Sequence, residues 1–277
     1  MSEVSNPLLI GKGLPPFPEI KPEQVIPAVT QLLEEVNAGL TALETTLEPT
    51  WSGLVEPLER LTERIGWAWG AIEHLLSVKN SVELRDAHKV VQPSVIKFFN
   101  RFSQSQPVYK AYKAIYTSTQ WDSLDPAQKR IIEAAIRDAE LSGVGLEGEA
   151  KEKFNAIQME LAELSTNFSN HVLDATKAFS MTLTLPEEIE GLPPSLLAQA
   201  AQAARLDGDD KATPEHGSWC ITLDFPSYVP FMQHSRRRDL REKLYRAFVS
   251  RAASGEFDNS PLIDRILQLR QQKANLL

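Results

Sequence analysis

Apolar residues recur every three or four positions along most of this chain. Val29, Leu32, Val36, Leu40, Leu43 and Leu47 step by 3, 4, 4, 3 and 4, which is the one-sided stripe of an amphipathic helix. Pro22 and Pro27 precede it, and Pro27 fits a first helical turn, where its missing N–H has no partner to lose. Thr50 marks the cap of a second helix reaching about Val78, which Pro57 should bend or break. Asn80 and Ser81 offer a cap for a third, to about Phe102, with a kink expected at Pro93. Pro107 opens a short helix to Tyr116. Asp125-Pro126 puts an acidic cap before a first-position proline, for a helix faced by Ile132, Ile136 and Ala139 and closed at Gly143. In the long helix that follows, Phe154, Ile157, Leu161, Leu164, Phe168, Val172 and Ala175 step by 3, 4, 3, 4, 4 and 3.

The period then changes to two. Phe179, Met181 and Leu183 alternate with Ser180, Thr182 and Thr184; Trp219, Ile221, Leu223 and Phe225 alternate with Ser218, Cys220, Thr222 and Asp224. Both segments predict half-buried strands, and two lone strands in a helical chain are expected to pair antiparallel. Between them lies an excursion, with a small helix near Pro194 to Arg205 and a polar loop from Leu206 to Gly217. Two helices, about Asp239 to Arg251 and Pro261 to Leu277, complete the pattern. Upstream, Asn6-Pro7 and Leu14-Pro15-Pro16-Phe17-Pro18 predict an extended arm, with Leu8, Leu9, Leu14 and Phe17 packed along the body. The fold class expected is mostly α: an antiparallel helical array with one small antiparallel β ribbon. Its organisation is read as 1–178, arm and helical region, and 179–277, ribbon, excursion and final helices.

Charge narrows the function. With 29 basic and 37 acidic side chains in 277 residues the net charge is −8, the wrong sign for a general nucleic-acid binder. There is no uninterrupted apolar run long enough to span a bilayer and no secretory signal pattern at the N-terminus. A cytoplasmic protein without membrane or nucleic-acid partners is therefore expected. The single cysteine, Cys220, rules out an internal disulfide framework and a thiolate-rich metal site.

The chemistry-bearing residues do not assemble into a known motif. His74, His88, His171, His216 and His234 include no pair four apart, so a helical His-x-x-x-His zinc pair is missing. Glu73 and His74 are adjacent and point different ways on a helix; Asp86 and His88 are also poorly spaced to meet. His171 and Asp174 are three apart and are read as a solvated surface contact. His216 and Cys220 are four apart, but Cys220 falls in a strand. Ser227 and His234 lack a third orienting group and an oxyanion loop. Gly143-Val144-Gly145 carries no phosphate-loop continuation and simply ends a helix. Arg236-Arg237-Arg238 is read as a solvated face or a partner for nearby acids, with carboxylate docking as its functional alternative. Glu187, Glu188 and Glu190 form a solvated turn. Trp51, Trp67, Trp69 and Trp121 are core anchors. No position is assigned as catalytic, cofactor-binding or metal-binding. Ile263, Ile266, Leu267 and Leu269 begin a stripe that Leu276 and Leu277 continue without a capping glycine, a proline or a polar tail. This predicts a chain cut inside a larger protein, with that stripe incompletely covered.

An ordered set of segments carries a family likeness. It comprises Asn6-Pro7-Leu8-Leu9, Leu14-Pro15-Pro16-Phe17, Ile20-Lys21-Pro22-Glu23 and Pro27-Ala28-Val29, then His74-Leu75-Leu76-Ser77-Val78-Lys79-Asn80-Ser81. Glu140-Leu141-Ser142-Gly143-Val144-Gly145-Leu146, Asn167-Phe168-Ser169-Asn170 and Val172-Leu173-Asp174-Ala175-Thr176 follow. Leu223-Asp224-Phe225-Pro226-Ser227-Tyr228, Tyr245-Arg246-Ala247-Phe248, Arg251-Ala252 and Asp258-Asn259-Ser260 complete it. Together they resemble the N-terminal part of the thimet oligopeptidase family of zinc metallopeptidases, most of all its bacterial oligopeptidase A branch. The resemblance implies a helical wall of a channel in which the complete enzyme hydrolyses short peptides. In the family, zinc is held by His-Glu-x-x-His and a later glutamate, none of which maps onto a position here, so zinc would belong to the complete enzyme. The partners implied are short peptides and a missing C-terminal half. The alternatives are a free-standing helical peptide-binding module and one half of a split enzyme.

Overall fold

Local signals start and stop the helices. In the computed structural model, which describes residues 6–277, the Pro22–Gln24 3₁₀ turn leads into α1 (Val25–Thr46), with Pro27 in its first turn. Thr50 Oγ1 accepts from Gly53 N at 2.9 Å, but the turn it caps, Trp51–Val55, is a π-helical turn. The helix α2 (Glu56–Val78) follows, so the break expected at Pro57 occurs just before it, with Pro57 inside a first turn that needs no N–H. Ser81 caps α3 (Val82–Ser103), which runs uninterrupted through Pro93. Ser105 caps α4 (Gln106–Tyr116), and a single turn, α5 (Gln120–Ser123), follows. Asp125 and Gln128 exchange side-chain and backbone bonds at 2.8 and 3.1 Å, a reciprocal cap that starts α6 (Pro126–Leu141). Gly143, at φ +79°, ends it. Its N–H bonds Glu140 O at 3.0 Å and Val144 N bonds Ala139 O at 3.1 Å, which is a complete Schellman closure. The long helix is α7 (Gly148–Lys177).

The arm departs from expectation. It is not extended throughout but coils into 3₁₀ turns at Pro7–Leu9 and Phe17–Glu19. Asn6 Oδ1 accepts from Leu8 N at 3.0 Å and starts the first. Leu8 is fully buried, Leu9 and Phe17 pack against the same core, and Leu14 is 94% exposed, so three of the four apolar positions dock.

The ribbon forms from β1 (Ser180–Leu183) and β2 (Trp219–Thr222), antiparallel, with Met181 opposite Ile221 and Leu183 opposite Trp219. Between them, α8 (Pro194–Leu206) presents Leu196, Ala200, Ala201 and Ala204 to the core; its alanines allow the helix backbone to approach closely. The second strand is shorter than its alternation predicts. At Phe225 the chain turns into a helix, α9 (Phe225–His234), that the pattern does not announce. Pro226 sits in its first turn, where proline is tolerated. The chain continues through α10 (Arg238–Val249) and α11 (Ser260–Ala274).

Two compact units result. One runs through Glu160 and takes in Gln271–Leu277; the other is Leu161–Arg270. The first unit's core joins Val29, Leu32 and Val36 to Ile65, Ile72, Val95 and Phe98. The second packs Leu183, Leu196, Trp219, Ile221, Phe231 and Leu244. In α11, Leu269 is buried while Ile263 and Leu267 are 45% and 58% exposed, and Leu277 beyond it is 53% exposed. Among the described residues, no helix is long and apolar enough to cross a membrane.

Candidate functional site

The first unit holds a cavity of about 850 Å³, within the size range of small-molecule sites. Four segments wall it. The end of α1 supplies Glu44, α3 supplies Pro93, Lys97 and Arg101, the α3–α4 junction supplies Gln104 to Pro107, and α7 supplies Lys151, Asn155, Ala156 and Met159. A polar lattice fixes one side. The Arg101 guanidinium donates to Glu44 Oε2 at 3.0 Å, Thr41 Oγ1 at 2.8 Å and Asn37 Oδ1 at 3.0 Å. Ser105 Oγ donates to the other Glu44 oxygen at 2.7 Å. Gln104, only 5% exposed, donates to Ser142 O at 2.9 Å and Asn155 Oδ1 at 2.8 Å. Gln106 Nε2 donates to Val144 O at 2.5 Å. Carbonyls near the end of α6 and a side chain of α7 are thus tied to the α3–α4 junction. Pro93, Pro107, Ala156 and Met159 give the lining an aliphatic part. Three basic side chains, Lys97, Arg101 and Lys151, line the cavity against one acid, Glu44.

The residues singled out in the sequence lie elsewhere. His74 is exposed beside the Phe17 ring, centroids 5.1 Å apart. His88 is 3% exposed and stacks on Trp69 at 4.7 Å; burial holds its imidazole below the ordinary value, and its Nε2 has no hydrogen-bond partner among the described residues. The partner of His171 Nδ1 is Asn259 Oδ1 at 2.9 Å. Asn259 Nδ2 donates to Phe168 O at 3.1 Å, so its oxygen must accept and His171 Nδ1 must carry the proton. His216 is exposed and Cys220 buried in β2. Ser227, 3% exposed, accepts from Thr222 N at 3.0 Å and closes the strand-to-helix corner, a structural task.

The charged clusters are also structural. Arg237 grips Asp239 through two bonds of 3.0 and 2.7 Å, and Arg236 lies 3.7 Å from Glu190. Glu188 is more than a solvated acid: its carboxylate accepts from Leu185 N at 3.0 Å and Thr184 N at 2.9 Å. Those two backbone bonds, Leu185 first, hold its pKa below the ordinary value. Trp51, Trp67, Trp69 and Trp121 pack against the first core. Among the described residues, no three His, Cys, Asp or Glu side chains converge as a metal site would require. Sequence reading missed the cavity altogether; its one local trace is the N-cap signal at Ser105, which lines it.

Comparison with known proteins extends these observations. Residues 29–151 match the family model for the Neurolysin/Thimet oligopeptidase N-terminal domain, and residues 231–277 match that of Peptidase family M3. The chain is 50% identical over 273 residues to a probable cytosolic oligopeptidase A of Arabidopsis thaliana, covering 99% of this chain and 39% of the relative. It is 37% identical over 283 residues to oligopeptidase A of Escherichia coli, with 99% of this chain and 40% of that protein covered. To dipeptidyl carboxypeptidase of the same bacterium it is 23% identical over 278 residues, again covering 40% of the relative. The chain therefore spans about two fifths of the length of these relatives.

Proposed function

The chain belongs to the thimet oligopeptidase family, and from that premise we propose that it is the helical N-terminal region of an oligopeptidase A-like zinc metalloendopeptidase. In this reading it forms part of the wall of a channel in which the complete enzyme hydrolyses short peptides, in the cytoplasm. One observation carries the proposal: the match to the plant oligopeptidase A runs over 273 residues at 50% identity and takes in 99% of this chain.

The residues present do not fit the metal. No two histidines are spaced to share a helical face, and His88 and Cys220 are enclosed in separate cores. The chain's contribution is shape and rigidity, from helices held by caps worth about 1 kcal/mol each and by two separate apolar cores.

A chimera tests this. This chain replaces the matched N-terminal segment of the plant relative, and cleavage of a fluorogenic peptide is followed with and without chelator. Chelator-sensitive cleavage by the chimera, and none by this chain with added zinc, is the expected result. A folded chimera that is inactive while its parent cleaves would overturn the channel-wall reading. Chelator-sensitive cleavage by this chain alone would overturn its non-catalytic part.

A further inference from the structure

We propose that the cavity between α1, α3, α4 and α7 is a binding site for a small carboxylate-bearing ligand with an apolar body. The inference stands on the cavity itself and does not depend on peptidase function.

The argument begins with charge. The chain as a whole is acidic, at −8, yet the lining of this cavity holds three basic side chains and one acid. The acid is already engaged: both Glu44 oxygens are taken, one by Arg101 at 3.0 Å and one by Ser105 at 2.7 Å. Lys97 and Lys151 form no salt bridge among those described. They come from different helices, α3 and α7, so no local helical spacing explains their meeting at one cavity. Lys151 also lies in the first turn of α7, where a positive side chain opposes the helix dipole. The start of α4 opens on the same space through Gln106 and Pro107, so the positive end of that helix adds to the two ammonium groups. Two ammonium groups facing one cavity attract an anion placed between them.

The remaining walls choose the rest of the ligand. Pro93, Pro107, Ala156 and Met159 are apolar, and Met adapts to irregular shapes. A bare inorganic anion would leave that surface wet; an acid with an aliphatic or aromatic body covers it. Gln104 Nε2 donates to Asn155 Oδ1 at 2.8 Å, so the lattice is braced before a ligand arrives.

The chemistry could be that of a free organic acid or of an acidic side chain on a short peptide. Calorimetric titration of the full chain separates the two, using octanoate, its neutral counterpart octanamide, and a capped tripeptide with one central glutamate. Octanoate is expected to bind, to weaken as salt rises, and to exceed octanamide by at least roughly fivefold, the worth of a charge-assisted bond. Lys97→Gln and Lys151→Gln should each weaken it by roughly five- to tenfold. Removing the competing charge with Glu44→Gln should tighten it. If the tripeptide binds more tightly than octanoate, the ligand is a peptide acid; if less, a free acid, and the site stands either way. Protection of both lysines from acetylation by octanoate gives a readout on the unaltered chain. Equal affinity for octanoate and octanamide, no saturation by millimolar octanoate, or binding that survives the double substitution Lys97→Gln/Lys151→Gln would overturn the proposal.

Discussion

Asn259→Ala is expected to be among the most damaging single polar substitutions in the second unit. Asn259 is 2% exposed and links the approach to α11 with α7, 88 residues earlier. Its oxygen accepts from His171 Nδ1 at 2.9 Å and its amide donates to Phe168 O at 3.1 Å. Its backbone N–H donates to Ala252 O at 2.9 Å and survives the substitution. Two side-chain bonds at about 1 kcal/mol each, plus the penalty for leaving a partly buried partner unsatisfied, give a loss of about 2–4 kcal/mol. The five tryptophans are divided between the units, so total fluorescence would mix their transitions. Hydrogen exchange of peptides from Leu161–Arg270 across a urea series isolates this one. His171→Ala and the double variant complete a cycle, with an expected coupling of about 1 kcal/mol. Asn167→Ala, on the exposed face of α7, is the control and should stay within about 0.5 kcal/mol. A loss below that same margin for Asn259→Ala, or strict additivity with His171→Ala, would refute the reasoning.

Further outcomes are expected elsewhere. Burial lowers the His88 pKa, so the unfolded chain binds more protons and stability falls as pH drops from about 6.5 through the depressed folded value. His88→Phe, which keeps a ring against Trp69, should flatten the dependence of the urea midpoint between about pH 7 and 5; parallel curves would contradict this. Gly191 adopts φ +86°, and a Cβ there would meet His234 O at 2.4 Å. Gly191→Ala should destabilise the second unit by about 1–3 kcal/mol, while Gly208→Ala, with open space around it, should cost less in the same thermal melt. Ile263 and Leu267 leave apolar surface on α11 exposed, so light scattering should show association rising with concentration. A monomer throughout the series, without dye-binding surface, would count against that.

Much of the helical framework was legible because it is local. Thr50, Ser81 and Asp125 declare their caps within four residues, and Gly143 declares its stop. The ribbon was legible from a change of period. Helix α9 was not, because Pro226 and Pro230 argue against a helix while the alternation ending at Phe225 argues for a strand. Proline in the first turn removes the objection only once the strand is known to stop at Thr222. The arm was misjudged for a related reason: proline forbids regular α-helix there but permits single 3₁₀ turns. The cavity was illegible in principle, since Glu44, Lys97 and Lys151 converge through packing and no spacing in the chain records it. The same holds for the bond between His171 Nδ1 and Asn259, 88 positions away.

The lone thiol gives this protein a built-in clock. Cys220 lies in the middle strand position of the ribbon, 5% exposed, and burial, with Asp207 adding to it, pushes its pKa up. A thiol reagent can reach it only when the ribbon or its cover opens, so labelling reports those openings and nothing else in the chain. At low reagent concentration the rate measures how often the second unit is open; at saturating reagent it measures how fast it opens. Because Cys220 is the only cysteine in the sequence, the excursion between the two strands can be timed without introducing a single label.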